Sequence, residues 1–186
     1  MDKVLVYVTG NEIKFNVASK TFKNTGITLL QKKLDTPEIQ SKSVQEVAKY
    51  SASWASEKLG KAVIVTDSGF LIEALNGFPG PFIKFVNQWF SVEDYMNLMK
   101  GKSNRRIIIQ DCLAYCYPNE DPIVFTGSYI GELAMEPSAK PGTPIDRLFI
   151  PQGFHMPIAE IPEEQMLAYW SSGEIMSKFK EYILNR

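Results

Sequence analysis

Apolar and polar residues repeat along this chain with two periods, one typical of strands and one typical of helices. In the first third, short apolar runs rich in β-branched residues alternate with longer stretches whose apolar residues recur every three or four positions. This pattern predicts strands at 3–8, 27–33 and 62–65, and helices at about 12–22 and 44–59. On the first helix, the apolar residues Ile13, Val17 and Ala18 fall on one face.

The rest of the chain begins with short helices and continues into longer strands. Helices are predicted at 83–90 and 92–99, the second capped by Ser91. Two long runs follow at 105–117 and 123–133, joined by a turn that contains Pro, Asn and Asp, as in an antiparallel hairpin. A Gly- and Pro-rich loop at 140–144, an apolar run at 148–150 and helices at 162–169 and 173–184 complete the predicted elements.

These elements together predict an α/β fold with a mixed sheet. We expect it to be elongated, with two lobes around a central cleft where a ligand would bind. Residues 1–186 are predicted to form a single α/β domain, into which an antiparallel hairpin lobe is inserted at about 105–137.

Composition narrows the possible partners. The chain is 45% hydrophobic and 22% charged, with a formal net charge of −1. Because the net charge is so small, no global electrostatic attraction to nucleic acid or to an anionic membrane is expected. Any anionic substrate must therefore be held by a few local lysines or arginines. The chain has no membrane-length apolar stretch and begins as a strand, so we expect a cytoplasmic protein.

Cysteine and histidine offer little candidate chemistry. Cys112 and Cys116 lie on one predicted strand with even spacing, so both side chains point to the same face. Their spacing matches neither a redox motif nor a zinc site, and we expect two buried free thiols. The single histidine, His155, is predicted to lie in a loop without a special role.

The first candidate site follows the strand at 62–65, where the chain reads Thr66-Asp67-Ser68-Gly69. Open α/β sheets bind ligands beyond the carboxyl ends of their strands, so Asp67 is expected at the mouth of a crevice. Gly69 would let the backbone approach a ligand closely. Asp67 is equally compatible with a turn or a helix N-cap, since Asp-Ser-Gly is common turn chemistry.

The second candidate site lies between the first strand and the first helix. Thr9-Gly10-Asn11 precedes the helix, and Lys14 lies in its first turn. Backbone N–H groups, a helix N-terminus and a lysine at one point suit a phosphate group. An alternative is that Asn11 merely caps the helix while Lys14 is solvated. The sequence Gly101-Lys102-Ser103 resembles the end of a phosphate-binding loop, but it is predicted to be a turn.

Several landmarks occur in a fixed order and resemble the inosine triphosphate pyrophosphatase family. They are Thr9-Gly10-Asn11 with Lys14, Glu38, Thr66-Asp67-Ser68-Gly69, Gly77-x-Pro79-Gly80-Pro81-x-Ile83-Lys84, Phe125-x-Gly127, Gly131, Gly142-x-x-x-Asp146-x-x-Phe149-x-Pro151-x-Gly153 and Ala159-Glu160-Ile161. The resemblance extends from about residue 4 to residue 165. It implies a homodimer that uses Mg²⁺ to hydrolyse a nucleoside triphosphate to the monophosphate and pyrophosphate.

The resemblance also implies roles for individual residues. Thr9, Gly10, Asn11 and Lys14 would bind the phosphates, and Glu38 and Asp67 would serve the metal and the attacking water. Asp67 and Lys14 are thus the catalytic candidates. Ser68, Gly69 and Asp146 are further candidates for substrate binding.

The chain also departs from the family pattern at positions that bind substrate. Thr143 stands in place of a base-stacking Phe, Ser51 in place of a helix lysine, and 166–172 lacks the family's Lys and its base-reading His-Arg pair. We therefore expect altered base specificity. Lys14, Lys84, Lys140 or Arg147 are candidates to replace the lost charge, and Tyr169 or Trp170 to replace the stacking surface. The alternatives are a non-catalytic nucleotide-binding or interaction module, and a phosphatase for another small phosphorylated substrate.

Overall fold

The computed structural model describes residues 3–185 as seven strands, six α-helices and two short 3-10 turns. The strands are Lys3–Val8 (β1), Ile27–Lys32 (β2), Val63–Ile72 (β3), Pro79–Gly80 (β4), Arg106–Cys116 (β5), Ile123–Leu133 (β6) and Phe149–Pro151 (β7). The helices are Glu12–Phe22 (α1), Val44–Leu59 (α2), Ile83–Trp89 (α3), Val92–Leu98 (α4), Glu163–Ser171 (α5) and Glu174–Leu184 (α6). None of these helices combines the length and the apolarity needed to cross a membrane.

The strands pair in the order β2-β1-β3-β5-β6-β7, and β4 pairs with β3 outside this sequence. β1 runs parallel to both β2 and β3, whereas β3–β4 and β6–β7 are antiparallel pairs. β5 and β6 are neighbours joined only by 117–122, a connection too short for a parallel crossover, so they form the predicted hairpin. The predicted α/β class with a mixed sheet is confirmed.

The first compact unit contains the described residues up to Asp67, Asp111–Gly127 and those from Tyr169 onward. Successive side chains along its strands point to opposite faces and enter two different buried clusters. One cluster includes Tyr7, Ile64 and Leu113 and packs against α1 and α6; the other includes Val8, Val65 and Cys112 and packs against α2. The strand residues of both clusters come from β1, β3 and β5, so helices cover this part of the sheet on both faces. Cys112 and Cys116 are buried and free, as predicted.

The second compact unit contains Ser68–Gln110 and Ser128–Ala168. The Phe70 and Phe149 rings meet edge to face, 5.4 Å apart. Gly131 of β6 lies against β7, where a Cβ would collide with the Ile150 carbonyl and the Phe149 ring. A glycine at this position allows the two strands to approach.

Caps in the sequence define the bounds of α2. Ser43 Oγ accepts the Glu46 N–H at its start, and Gly60 ends it in the left-handed conformation with φ 59°. The prediction for this helix is confirmed at both ends. On α1 the buried residues are Val17, Ala18 and Phe22, whereas Ile13 in the first turn is 51% exposed.

The predicted end of the third strand at residue 65 is wrong. β3 continues through Thr66-Asp67-Ser68-Gly69 to Ile72, so Asp67 occupies neither a turn nor a helix N-cap. The physical reason is pairing from elsewhere in the chain. β4 pairs with Phe70 and Leu71 beyond this tetrad, and these contacts keep a turn-prone sequence extended.

Candidate active site

Two parallel strands, β1 and β2, end at one edge of the first unit, and β3 continues past them. In register, Val8 of β1 lies between Lys32 of β2 and Val65 of β3. The turn after β1, the connection after β2 and the segment of β3 that holds Asp67 therefore begin at the same edge. This edge corresponds to the carboxyl ends of the strands, where open α/β sheets bind their ligands.

The turn between β1 and α1 is held by two short-range hydrogen bonds. Thr9 Oγ1 accepts the Asn11 N–H at 3.1 Å, and Asn11 Oδ1 accepts the Lys14 N–H at 3.0 Å. The alternative that Asn11 caps the helix is thus confirmed, and it does not compete with anion binding at the same helix end. A Cβ on Gly10 would meet nothing within 4 Å, so the backbone here faces open space that a phosphate could occupy.

A second set of contacts fixes the turn to β2. Gln31 Nε2 donates to the Thr9 carbonyl at 3.3 Å, and Glu12 pairs with Lys33 at 3.1 Å. The ion pair is largely exposed and contributes little stability by itself. Its effect at this site is to place a lysine beside the one carboxylate in the first turn of α1, which would otherwise repel an anion.

Asp67 lies half-buried in β3, and its Oδ2 atom is shielded from solvent. The side chain lies close to Cys112 of the neighbouring strand. Burial and the charge of Asp67 raise the pKa of that thiol to about 11, while Lys49 of α2 acts in the opposite direction. Asp67 is therefore a carboxylate near the sheet edge with low solvent exposure on one side, as expected for a group that holds a cation or orients a water.

Sequence reasoning missed a polar contact on the opposite face of the same strands. The Tyr7 hydroxyl and Thr66 Oγ1 form a 2.6 Å hydrogen bond that joins β1 to β3 directly beside Asp67. Burial, with a smaller contribution from the charge of Asp111, raises the pKa of Tyr7, so this phenol stays neutral. Asp111 is the single charged side chain within the long run 107–116, but its position does not identify the Tyr7–Thr66 pair.

The match to known proteins extends over nearly the whole chain. A model of the Ham1 family matches residues 5–182. This chain belongs to the Ham1 family. The dITP/XTP pyrophosphatase of Methanopyrus kandleri is 36% identical over 181 residues, 97% of this chain and 96% of that protein. The dITP/XTP pyrophosphatase of Thermococcus kodakarensis is 32% identical over 179 residues, 96% of each chain. The resemblance seen in the sequence is confirmed.

Solved Ham1 structures share the fold. A HAM1 protein from Coxiella burnetii aligns with a TM-score of 0.83 at 20% identity, covering 99% of this chain and 100% of that one. The Staphylococcus aureus Ham1 protein aligns with a TM-score of 0.77 at 21% identity, covering 97% and 98%. These similarities establish the fold alone.

The residues expected to depart from the family pattern lie in both compact units. In the second unit, Thr143 and Asp146 bond reciprocally: the Thr143 N–H donates to Asp146 Oδ2 at 2.9 Å, and the Asp146 N–H to Thr143 Oγ1 at 3.3 Å. Arg147 Nε donates to the Ser138 carbonyl at 2.8 Å, so part of its guanidinium shapes the loop. In the first unit, the rings of Tyr169 and Trp170 meet edge to face at 5.0 Å, and burial raises the pKa of Tyr169.

The remaining candidates lie on the connection after β2 and on β3. Glu38 lies exposed in the connection that leaves β2, and Ser68 and Gly69 continue β3 after Asp67. Within residues 3–185, no three His, Cys, Asp or Glu side chains gather into a metal-binding group. Two carboxylates, Glu38 and Asp67, nevertheless match the donor set of Mg²⁺, which takes one or two carboxylates and completes its shell with phosphate oxygens and water.

Proposed function

We propose that this protein hydrolyses a nucleoside triphosphate to the monophosphate and pyrophosphate. The observation that carries this proposal is the common sheet edge in the first unit, where the Thr9–Lys14 turn adjoins the strand that bears Asp67. The relatives that match nearly the full chain are dITP/XTP pyrophosphatases, which supports the same reaction.

Each residue at the edge has a role suited to its chemistry. The N-terminus of α1 and the Lys14 ammonium would hold phosphate oxygens, one through backbone N–H groups and the other as a point charge. Glu38 and Asp67 would hold Mg²⁺, which supplies charge neutralisation on the phosphates and a more acidic water. Asp67 would also orient a water for attack on phosphorus, and its burial on one side limits its motion.

We further infer altered base recognition. The Thr143–Asp146 turn offers no ring on which a base could stack, and Asp146 already uses one carboxylate oxygen within the loop. Tyr169 and Trp170 present ring surfaces that accept any base, which gives affinity with little selection. We also infer a homodimer, which the family resemblance implies, and, from the sequence, a location in the cytoplasm; both are independent of the proposed chemistry.

A nucleotide panel with Mg²⁺ tests the reaction. We expect pyrophosphate and a nucleoside monophosphate in equal amounts, and no orthophosphate. Release of orthophosphate would support the phosphatase alternative, whereas nucleotide binding without any release would support the non-catalytic one. A parallel assay with EDTA shows whether turnover needs a divalent metal.

The same panel tests base selection. We expect kcat/KM for inosine and xanthosine triphosphates to exceed that for guanosine and adenosine triphosphates only modestly. The reason is that strong rejection requires buried polar groups left unpaired by the wrong base. A preference of roughly a hundredfold or more for inosine triphosphate would contradict this expectation, because that scale indicates a site reading polar groups.

A further inference from the structure

Tyr7 of β1 contacts residues beside both catalytic candidates. Its side chain is fully buried on the face of the sheet that α1 and α6 cover. The hydroxyl lies 2.6 Å from Thr66 Oγ1, and Thr66 directly precedes Asp67. The ring lies against that of Phe15, which directly follows Lys14, with 6.5 Å between the two centroids. One side chain therefore links the strand that bears Asp67 to the helix that bears Lys14.

The Tyr7–Thr66 hydrogen bond lies where the pairing of β1 with β3 ends. The paired positions are Val6–Val63, Tyr7–Ile64 and Val8–Val65. Thr66 is thus two residues beyond the ladder partner of Tyr7 and one residue beyond the last pair. β1 ends here and the chain turns into α1, whereas β3 continues to Asp67. The side-chain bond therefore joins the two strands just past their last backbone pair.

We propose that Tyr7 and Thr66 are positioning residues, whose hydrogen bond directs Asp67 towards phosphates held by the Thr9–Lys14 turn. This role rests on the proposed hydrolysis. Side chains alternate across a strand, so a fixed Thr66 on one face also fixes the direction of the Asp67 side chain on the other. A catalytic group must be held within about 0.5 Å of its productive position, which requires such support from residues behind it.

The hydroxyl of Tyr7 needs a role beyond packing. A phenylalanine ring would fill almost the same volume, and a buried hydroxyl is unfavourable unless it is hydrogen-bonded. Thr66 supplies that bond. Burial raises the pKa of Tyr7, so the phenol stays neutral. The bond therefore joins two uncharged groups and adds no negative charge beside a site that would hold phosphate.

The phosphate turn has supports of its own that do not involve β3. Asn11 Oδ1 accepts the Lys14 N–H, and Gln31 Nε2 donates to the Thr9 carbonyl. Both contacts should remain when the Tyr7 hydroxyl is removed. The loss should then displace Asp67 while phosphate binding stays in place, so we expect a defect in kcat and not in KM.

Steady-state kinetics of Tyr7→Phe at saturating Mg²⁺ test the role. We expect kcat for pyrophosphate release to fall roughly tenfold to a hundredfold, since a displacement of about 1 Å can cost ~10²-fold in rate. KM should stay close to that of the natural protein. Calorimetric titration with a non-hydrolysable triphosphate should give unchanged affinity and stoichiometry, which shows that the whole sample is folded and able to bind.

Tyr95→Phe is the matched control. Tyr95 is also fully buried, and its hydroxyl donates to Asn87 Oδ1 at 3.4 Å within the second unit. The substitution makes the same chemical change at a tyrosine that the proposed chemistry does not use. We expect Tyr95→Phe to keep the kcat and KM of the natural protein.

Substitutions at Thr66 show whether the hydrogen bond itself is responsible. Thr66→Ser keeps the hydroxyl and should retain most of the turnover. Thr66→Val keeps the branched shape without the hydroxyl and should reproduce the kcat loss of Tyr7→Phe. The double variant Tyr7→Phe/Thr66→Val should be no slower than the slower single variant, because both changes remove the same bond.

The outcomes separate this role from the proposed function. An unchanged kcat in Tyr7→Phe would overturn the positioning role and leave the hydrolysis in place. Losses that multiply in the double variant, or a defect that lies entirely in KM, would overturn it as well. A natural protein that releases no pyrophosphate would overturn the proposed function and this role with it.

Discussion

The Asp67→Asn variant is expected to lose ~10²–10⁴-fold in kcat for pyrophosphate release while keeping its fold, the range associated with a positioned acid–base group. The substitution preserves the shape of the side chain and one acceptor oxygen but removes the charge. A neutral amide holds Mg²⁺ poorly and cannot take a proton from water. Asp67 is half-buried within a paired strand, so the isosteric amide should leave the packing unchanged.

Steady-state turnover with Mg²⁺ and a thermal melt of the same sample check this prediction together. The matched control is Asp121→Asn, the same chemical change at an exposed position outside the site. We expect this control to keep the turnover of the natural protein. If Asp67→Asn keeps it as well, the carboxylate serves only the strand, and its assignment to the metal and the water is wrong.

The Lys14→Ala variant is expected to bind nucleoside triphosphate at least tenfold more weakly. A hydrogen bond to a charged group contributes ~1.5–3 kcal/mol, and 1.4 kcal/mol corresponds to a factor of ten. The backbone N–H of Lys14 stays bonded to Asn11 Oδ1, so truncation of the side chain should leave the capped turn in place. The loss of affinity then measures the contribution of the Lys14 ammonium group alone.

Calorimetry with a non-hydrolysable triphosphate measures this loss, and its dependence on salt concentration should decrease because one charge–charge contact is gone. Lys20→Ala is the matched control, since Lys20 is an exposed lysine in the last turn of the same helix. We expect Lys14→Arg to restore part of the affinity. Unchanged affinity in Lys14→Ala would mean that this lysine is solvated and that the phosphates bind elsewhere.

The local sequence was sufficient to predict helix ends where neighbouring side chains accept hydrogen bonds from free backbone N–H groups. α1 begins at Asn11 and α2 begins at Ser43 because those side chains accept the first free N–H groups of each helix. The left-handed Gly60 then ends α2 for an equally local reason. The turn that holds Thr9 and Lys14 was predictable on the same grounds, and an ordered set of motifs indicated the family.

Tertiary structure alone decided features that depend on distant strands. Asp-Ser-Gly favours a turn by itself, yet Asp67 lies within β3 because Phe70 and Leu71 pair with β4. Pairing with β1 and the Tyr7–Thr66 hydrogen bond then place this strand beside the Thr9–Lys14 turn, although Tyr7 and Thr66 are 59 positions apart. Sequence by itself indicated the residue types of the candidate site. Long-range pairing determined where they lie, since a hydrogen bond between strands leaves no signal in the local pattern of either one.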